Sequence, residues 1–452
     1  MRFDNGEFRV SGPKTRAELD AIKLKKFRAL VQHANARAPY YATIIRARGI
    51  SLEACTPADF PVLTKTLLMQ NFDAIVTDRR ITKQVVADFL TRSSDPMEQL
   101  FDEVTVMHTS GTSGEVGYFL FSPGDRAGMN ISPPPSVRAG SRGLLRRSKL
   151  LRRIRVAFYG ATGGHYAGVT GITSMQRGLR RLFFKVQTFE VNAPLRQMLE
   201  QLDEFEPDLL IGYTTALKIL AEEQRAGHLR IAPLIVSATG ETATRADMEF
   251  LSAAFGGARV FSAYGCTEHM MLGTSDPSGE TMTLHDDNLI FEFYEDHSLI
   301  TNLFNFTMPM IRYRMSDILR PVSDANARYI VIENLVGRSE RMPVFVNSAG
   351  ATDFISPHTI NEIFVKGVTR FQMQLTGPSS FRFPICVEAG LDQQARAAAT
   401  AGVVARLREI LQQKGLGNVV FEVPVVADIP LNPRSRKFQL IVDERAADDA
   451  RH

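Results

Sequence analysis

Four short strings combine residue types that can do phosphate chemistry. The first, His108-Thr-Ser-Gly-Thr-Ser-Gly-Glu115, packs four hydroxyls and two glycines into the six positions Thr109, Ser110, Gly111, Thr112, Ser113 and Gly114. Glycine lets backbone N–H groups approach a ligand closely, and hydroxyls add donors, so this composition suits a loop that grips phosphate. It is not a Walker loop, because G-x-x-x-x-G-K-[ST] is absent; a polar surface turn has the same composition. The second string is Tyr264-Gly-Cys-Thr-Glu268. There Glu268 can hold Mg²⁺ through an oxygen and Thr267 can donate to a phosphate; a strand-to-loop junction with a solvated glutamate reads equally simply. The third is Pro309-Met-Ile-Arg-Tyr-Arg-Met-Ser-Asp317. An ionised carboxylate accepts at both oxygens, so Asp317 can take two ribose hydroxyls, or pair with a surface arginine. The fourth is Pro430-Leu-Asn-Pro-Arg-Ser-Arg-Lys437, whose lysine can stabilise phosphoryl charge or simply be solvated.

These strings need elements to position them. Residues 15–49 read as helical, with Leu19, Ile22, Phe27, Leu30 and Val31 at helix-like intervals before Pro39 interrupts them. Residues 194–205 read as a helix ended by Pro207, and 208–213 as a buried strand. Thr214 to Ala226 reads as a helix closed by Gly227. A strand at 234–236, a turn at Gly240, a helix over about 243–255 and a strand at 258–263 follow. Strand alternating with helix at this spacing predicts a parallel sheet, with the second string at a strand exit, where α/β folds place ligands. Residues 289–303 alternate and predict antiparallel strands. A last unit pairs a helical face (Val403, Val404, Leu407, Ile410, Leu411) with a strand at 419–426. A boundary is expected near 337–342.

Composition excludes several classes. The 452 residues are 44% hydrophobic and 23% charged, which rules out wholesale disorder. A net charge of +4 over that length does not argue for a nucleic-acid binder. No run of 18 apolar residues predicts a transmembrane helix, and the polar start lacks a signal-peptide core. Three dispersed cysteines argue against a disulfide framework and for a reducing, cytoplasmic setting without a membrane partner. The nine histidines form no recognisable zinc spacing.

Ala157-Phe-Tyr-Gly-Ala-Thr-Gly-Gly-His-Tyr166 is the candidate acid pocket: Gly160, Gly163 and Gly164 make room, Phe158, Tyr159 and Tyr166 can contact a ring, and His165 can meet a polar group. A core strand followed by a tight turn explains the same string. Eight basic residues lie between 138 and 155, a solvated loop or a dock for CoA phosphates or an acidic carrier protein. Cys266 reads as a small filler, having no histidine–acid partner.

Order and spacing of the strings resemble the adenylate-forming superfamily of acyl-CoA synthetases, luciferases and adenylation domains. Within it they resemble the phenylacetate–CoA ligase branch and its relatives in capsular polysaccharide biosynthesis. Pro39-Tyr-Tyr41, Asp59-Phe-Pro-Val-Leu-Thr-Lys65 and Asn71-Phe-Asp73 look like that branch's opening segment. Thr239-Gly-Glu241 looks like the adenine-side turn, 264–268 fits Y-G-x-T-E, 311–317 is similar to I-R-Y-R-T-G-D, and Gly337-Arg-Ser-Glu340 to the hinge G-R-x-D. The chain departs from the pattern at Glu115, Ser316, Glu340 and Arg436, which stand where lysine, glycine, aspartate and glycine are common.

The resemblance implies an α/β fold: a large N-terminal domain (1–336) of parallel-rich sheets flanked by helices, with a small β-barrel-like part, and a small mobile α+β C-terminal domain (337–452). It implies ATP and Mg²⁺, a small aromatic or hydrophobic acid, and an acceptor thiol on CoA or a carrier protein's phosphopantetheine. Thr109 to Gly114 would hold the β- and γ-phosphates, Gly240, Glu241, Tyr264 and Gly265 would line the nucleotide, and Asp317 would fix the ribose. Glu268 would bind the metal, Thr267 the α-phosphate, Arg338 would assist, Lys437 would bridge carboxylate and α-phosphate, and Glu340 would be the hinge pivot. An amide-forming ligase, or a degenerate member that binds nucleotide without turnover, stays open as an alternative.

Overall fold

The structure is a computed structural model that describes residues 15–109, 116–129, 152–241, 243–315, 317–323, 327–334, 343–361, 363, 365, 367–430 and 440–445. The chain opens with helix Arg16–Arg37. Thr15 caps it in a reciprocal box with Glu18, and it buries Leu19, Lys23, Phe27, Leu30, Val31 and Ala34. Pro39 begins a second helix, Pro39–Arg48, at a position where its missing N–H costs nothing. Both pack into the largest core cluster of the described residues, beside β1 (Thr105–His108) and β2 (Tyr118–Phe121).

The main sheet is built from β3 (Ile154–Gly160), β4 (Phe184–Glu190), β5 (Leu209–Tyr213), β6 (Ile235–Thr239), β7 (Arg259–Cys266), β8 (Met270–Ser275) and β9 (Thr281–Leu284), with β13 (Val331–Glu333). Between β9 and β13 the chain forms β10 (Leu289–Phe293), β11 (Ser298–Asn302) and β12 (Tyr313–Met315), an antiparallel three-stranded sheet. The main sheet runs β13-β9-β8-β7-β6-β5-β3-β4, and its β4-β3-β5-β6-β7 half is parallel, as the strand–helix alternation predicts. Helix Leu195–Phe205 buries Leu195, Met198, Leu199, Leu202 and Phe205, a stripe at helical spacing. It stops at Glu206, whose φ of +46° is left-handed, just before Pro207. Along β3, Ala157 and Tyr159 enter one core cluster while Ile154 and Val156 enter another, so the strand is buried on both faces.

The C-terminal part is a small α+β domain. It comprises β14 (Val344–Val346), β15 (Thr352–Phe354), β16 (Val368–Phe371), β17 (Met373–Gly377), β18 (Ser380–Arg382), β19 (Ile385–Val387), helix Gln393–Gln413, β20 (Val420–Glu422) and β21 (Ile441–Asp443). Val403, Leu407, Ile410 and Leu411 close its own core, on the helical face read from the sequence. The strand expected over 419–426 is shorter, only Val420–Glu422. Pro424 explains the stop, because it has no N–H for the ladder.

The small domain meets the large one around a buried ion pair of its own, Lys414 with Asp353. Lys414 Nζ lies 3.1 Å from an Asp353 oxygen, donates to the Ala193 carbonyl at 3.0 Å and sits over the Phe354 ring. Asp353 accepts the Leu195 N–H at 3.0 Å, and Thr359 bonds Asn192. Losing one partner of such a pair costs about 3–5 kcal/mol, because the other charge is left buried alone. The expected boundary at 337–342 lies outside the described residues. Among them, no helix is long and apolar enough to cross a membrane.

Candidate functional site

The described parts of the first three strings, Thr109, Tyr264 to Glu268 and Asp317, converge at the carboxyl ends of the parallel strands. Here the structure corrects the expected strand end: β7 does not stop at 263 but runs to Cys266, so Tyr264, Gly265 and Cys266 are strand, paired antiparallel with β8. The register slips between Tyr264 and Gly265, and Met270 takes a φ of +64°. A Cβ on Gly265 would lie 2.8 Å from the Met270 carbonyl oxygen, so only glycine allows this close crossing. Thr267, Glu268 and His269 therefore form the tip of a hairpin, with Glu268 half-buried at its end.

Burial pushes the Glu268 carboxyl above the ordinary carboxylate range; nearby Lys65 pulls it down and Asp317 pushes it further up. A carboxyl driven toward its neutral form in this way is one that a cation would hold ionised. Burial also lifts the Cys266 thiol well above its usual value, which suits the filler reading. His269 is fully buried and neutral, its pKa lowered by burial to about 3, and its ring packs edge-on to Tyr313 at 5.6 Å. Among the described residues no group of three or more His, Cys, Asp or Glu is placed to hold a metal. Mg²⁺ needs less than that, since it keeps waters and binds through one or two carboxylates plus substrate phosphates.

Lys65 is the residue that the sequence reading passed over. It starts helix Lys65–Gln70 behind the Thr64 cap, and its Nζ donates to Thr109 Oγ1 at 2.9 Å. The same oxygen accepts the Gly117 N–H at 2.9 Å, and the Thr109 N–H bonds the Gly117 carbonyl. Thr109 thus clasps the root of the hydroxyl-rich loop. The Leu63 backbone pairs with Arg312 and Arg314, so the lysine is mounted on the third string. The available signal was the Thr64-Lys65 helix start inside the opening segment.

The third string is held by Arg312, which has a left-handed φ of +53°. Its guanidinium grips Glu292 at 2.9–3.1 Å and reaches the Phe60 carbonyl. The string delivers Asp317 to the second: Tyr264 Oη donates to Asp317 Oδ2 at 2.8 Å. An ionised carboxylate has further lone pairs that can accept a hydroxyl.

At the end of β6, Gly240 has φ +74°, and a Cβ there would meet the Tyr213 ring at 2.9 Å. Glu241 turns back onto helix Thr214–Ala226, which has no side-chain cap of its own. Its carboxylate accepts the Thr215 N–H at 2.8 Å and the Thr215 hydroxyl. Negative charge is favoured at that helix end. Glu241 is thus committed to capping, and its turn offers a ligand backbone groups.

The candidate acid pocket divides. Tyr159 is 0% exposed in the core under the helices, and a Cβ on Gly160 would strike the Phe158 ring at 2.8 Å; these two belong to the core strand. Beyond the strand, a side chain on Gly163 would meet nothing within 4 Å. Gly164 has φ +89° beside Tyr166, whose ring tilts against His108 at 4.6 Å. His165 is buried against Phe89, and burial lowers its pKa below the ordinary histidine value. Ser110, Gly111, Thr112, Ser113, Gly114, Glu115, Ser316, Arg338, Glu340, Arg436 and Lys437 lie outside the described residues, as does the basic run up to residue 151.

No family model matches the chain. Protein CapK of Staphylococcus aureus is 20% identical over 381 residues, 77% of this chain and 76% of CapK. Among solved structures, 2-hydroxyisobutyryl-CoA ligase in complex with 2-HIB-AMP and CoA matches at a TM-score of 0.56 and 19% identity, over 98% of this chain and 94% of the ligase. The same ligase in its postadenylation state with R3-HIB-AMP matches at 0.52 and 18% identity, over 96% and 91%. The chain has the fold of the adenylate-forming ligases.

Proposed function

We propose that this protein activates a small carboxylic acid with ATP as an acyl-adenylate and then passes the acyl group to a thiol, on CoA or on a carrier protein. The observation that carries the reading is the meeting of Glu268, Lys65 and Thr109 with the Tyr264–Asp317 pair at one end of the parallel sheet. That end presents a cation, a carboxylate and a hydroxyl-rich loop root for polyphosphate, and a carboxylate acceptor for a sugar.

Asp317, oriented by Tyr264, accepts a ribose hydroxyl. Gly240 and Glu241 lend main-chain groups to the base, with Tyr264 and Gly265 flooring the nucleotide. Thr109 leads Ser110, Gly111, Thr112, Ser113 and Gly114 onto the β- and γ-phosphates. Lys65 supplies, from a separate helix, the positive charge that Glu115 does not offer in the loop. Glu268 is the ligand for Mg²⁺, which when bound neutralises phosphate charge. Thr267 donates to the α-phosphate. Arg338 assists, and Lys437 bridges the acid and the α-phosphorus as charge moves. Gly163, Gly164, His165 and Tyr166 shape a pocket for an aromatic or hydrophobic acid.

Residues 1–336 and 337–452 act as the two domains, pivoting at Glu340. A swing of the small domain has to release Lys414 from Ala193 and Asp353 from Leu195. Incubation with ATP, Mg²⁺, a substrate acid and CoA should yield AMP and thioester in equal amounts. Formation of ADP and phosphate instead would contradict the adenylate route.

A further inference from the structure

At the opposite end of the sheet from the candidate site lies a patch with no part in that chemistry. Leu182 and Phe183 are consecutive and 62% and 58% exposed. Scattered exposed apolar residues are normal, but two adjacent large ones at one turn are not. They close the short 3₁₀ turn Gly178–Leu182 and lead into β4, the edge strand of the main sheet. Exposed basic residues lie close to them along the chain and the sheet: Arg180 and Arg181 on the turn, Lys185 two residues on along β4, and Arg153 just before β3. The Ile154 N–H donates to the Phe183 carbonyl at 2.8 Å, which brings the start of β3, just after Arg153, beside Phe183, and Arg155 pairs in register with Lys185. The nearby acids are already used: Asp208 by Arg152 at 2.6 Å and Glu206 by Arg155 at 2.6 Å.

We propose that this turn docks the protein onto an anionic lipid surface. An exposed apolar pair flanked by basic residues fits the headgroup boundary: Leu182 and Phe183 enter the acyl layer while the arginines meet lipid phosphates. The basic residues disfavour a second copy of the chain, because like charges would face each other. The candidate site, about one strand length or ~20 Å away, then faces the aqueous side. This departs from the sequence expectation of no membrane partner, and it does not rest on the proposed reaction.

The test is co-sedimentation of the full-length protein with vesicles of phosphatidylglycerol and phosphatidylcholine, against phosphatidylcholine alone. The expected result is at least about tenfold stronger partition to the anionic vesicles, weakening with salt. Leu182→Asp/Phe183→Asp should lower that partition by about tenfold or more, as should Arg180→Glu/Arg181→Glu, with unchanged melting temperature. Equal binding to both vesicle types, or none, would overturn the proposal. So would undiminished binding by the Leu182/Phe183 variant. Displacement by soluble polyglutamate as effective as by anionic vesicles would also overturn it, and would point to an acidic protein.

Discussion

Glu268→Gln should cut acid-dependent adenylate formation by about 10²–10³-fold, the scale of losing one preorganised charge stabiliser, while raising the melting temperature at neutral pH. The two effects have one cause. Burial raises the folded-state pKa of Glu268 above its ordinary value of 4.5. The unfolded chain therefore gives up this proton first, and stability is lost as pH rises from that ordinary value through the folded-state pKa. Above it, the folded protein carries a half-buried carboxylate whose compensation comes from Lys65 and, in the proposed reaction, from the metal. Glutamine keeps the shape and removes the charge, so scanning calorimetry across weakly acid to neutral pH should show a shallower decline for the variant. A lower melting temperature together with lost activity would make Glu268 a structural anchor instead. Higher stability with lost activity is the trade expected of a site residue.

Lys437→Ala should lower adenylate formation by about 10²–10³-fold and leave thioester formation from a pre-made acyl-adenylate nearly intact. The lysine is proposed to act where charge develops on the α-phosphorus, and that charge is gone once the adenylate exists. Single-turnover assays of each half-reaction separate the steps. Equal loss in both halves, or in neither, would remove Lys437 from the role that the resemblance gives it.

The parallel half of the sheet was legible because each helix and strand between 194 and 263 carries its own punctuation. Pro207, Gly227, Gly240 and the Gly256-Gly257 pair sit at real ends, all four glycines with φ between +65° and +83°. The extension of β7 to Cys266 was not legible. It depends on the crossing of Gly265 over Met270, a contact between residues that a period-based reading assigns to a loop. The short strands of the small domain were equally hidden, since three-residue segments such as Val344–Val346 and Ser380–Arg382 are too brief for alternation to register.

The site divided in the same way. Motif spacing pointed to Glu268, Asp317 and Thr109, yet it could not show that Tyr264 orients Asp317, because 53 residues separate them. Nor could it show that Lys65, 44 residues upstream of Thr109, holds the loop root. Both links are tertiary. Glu241 shows the reverse case: its motif reads as a ligand contact, while its carboxylate is spent on the uncapped start of helix Thr214–Ala226.

The central claim is that this chain makes an acyl-adenylate. The direct measurement is isotope exchange of pyrophosphate into ATP with Mg²⁺ and a panel of aryl and aliphatic acids, with no acceptor thiol present. The account predicts exchange that depends strictly on one class of acid and is lost in Glu268→Gln. Tight ATP binding with no acid-dependent exchange across the panel would contradict it.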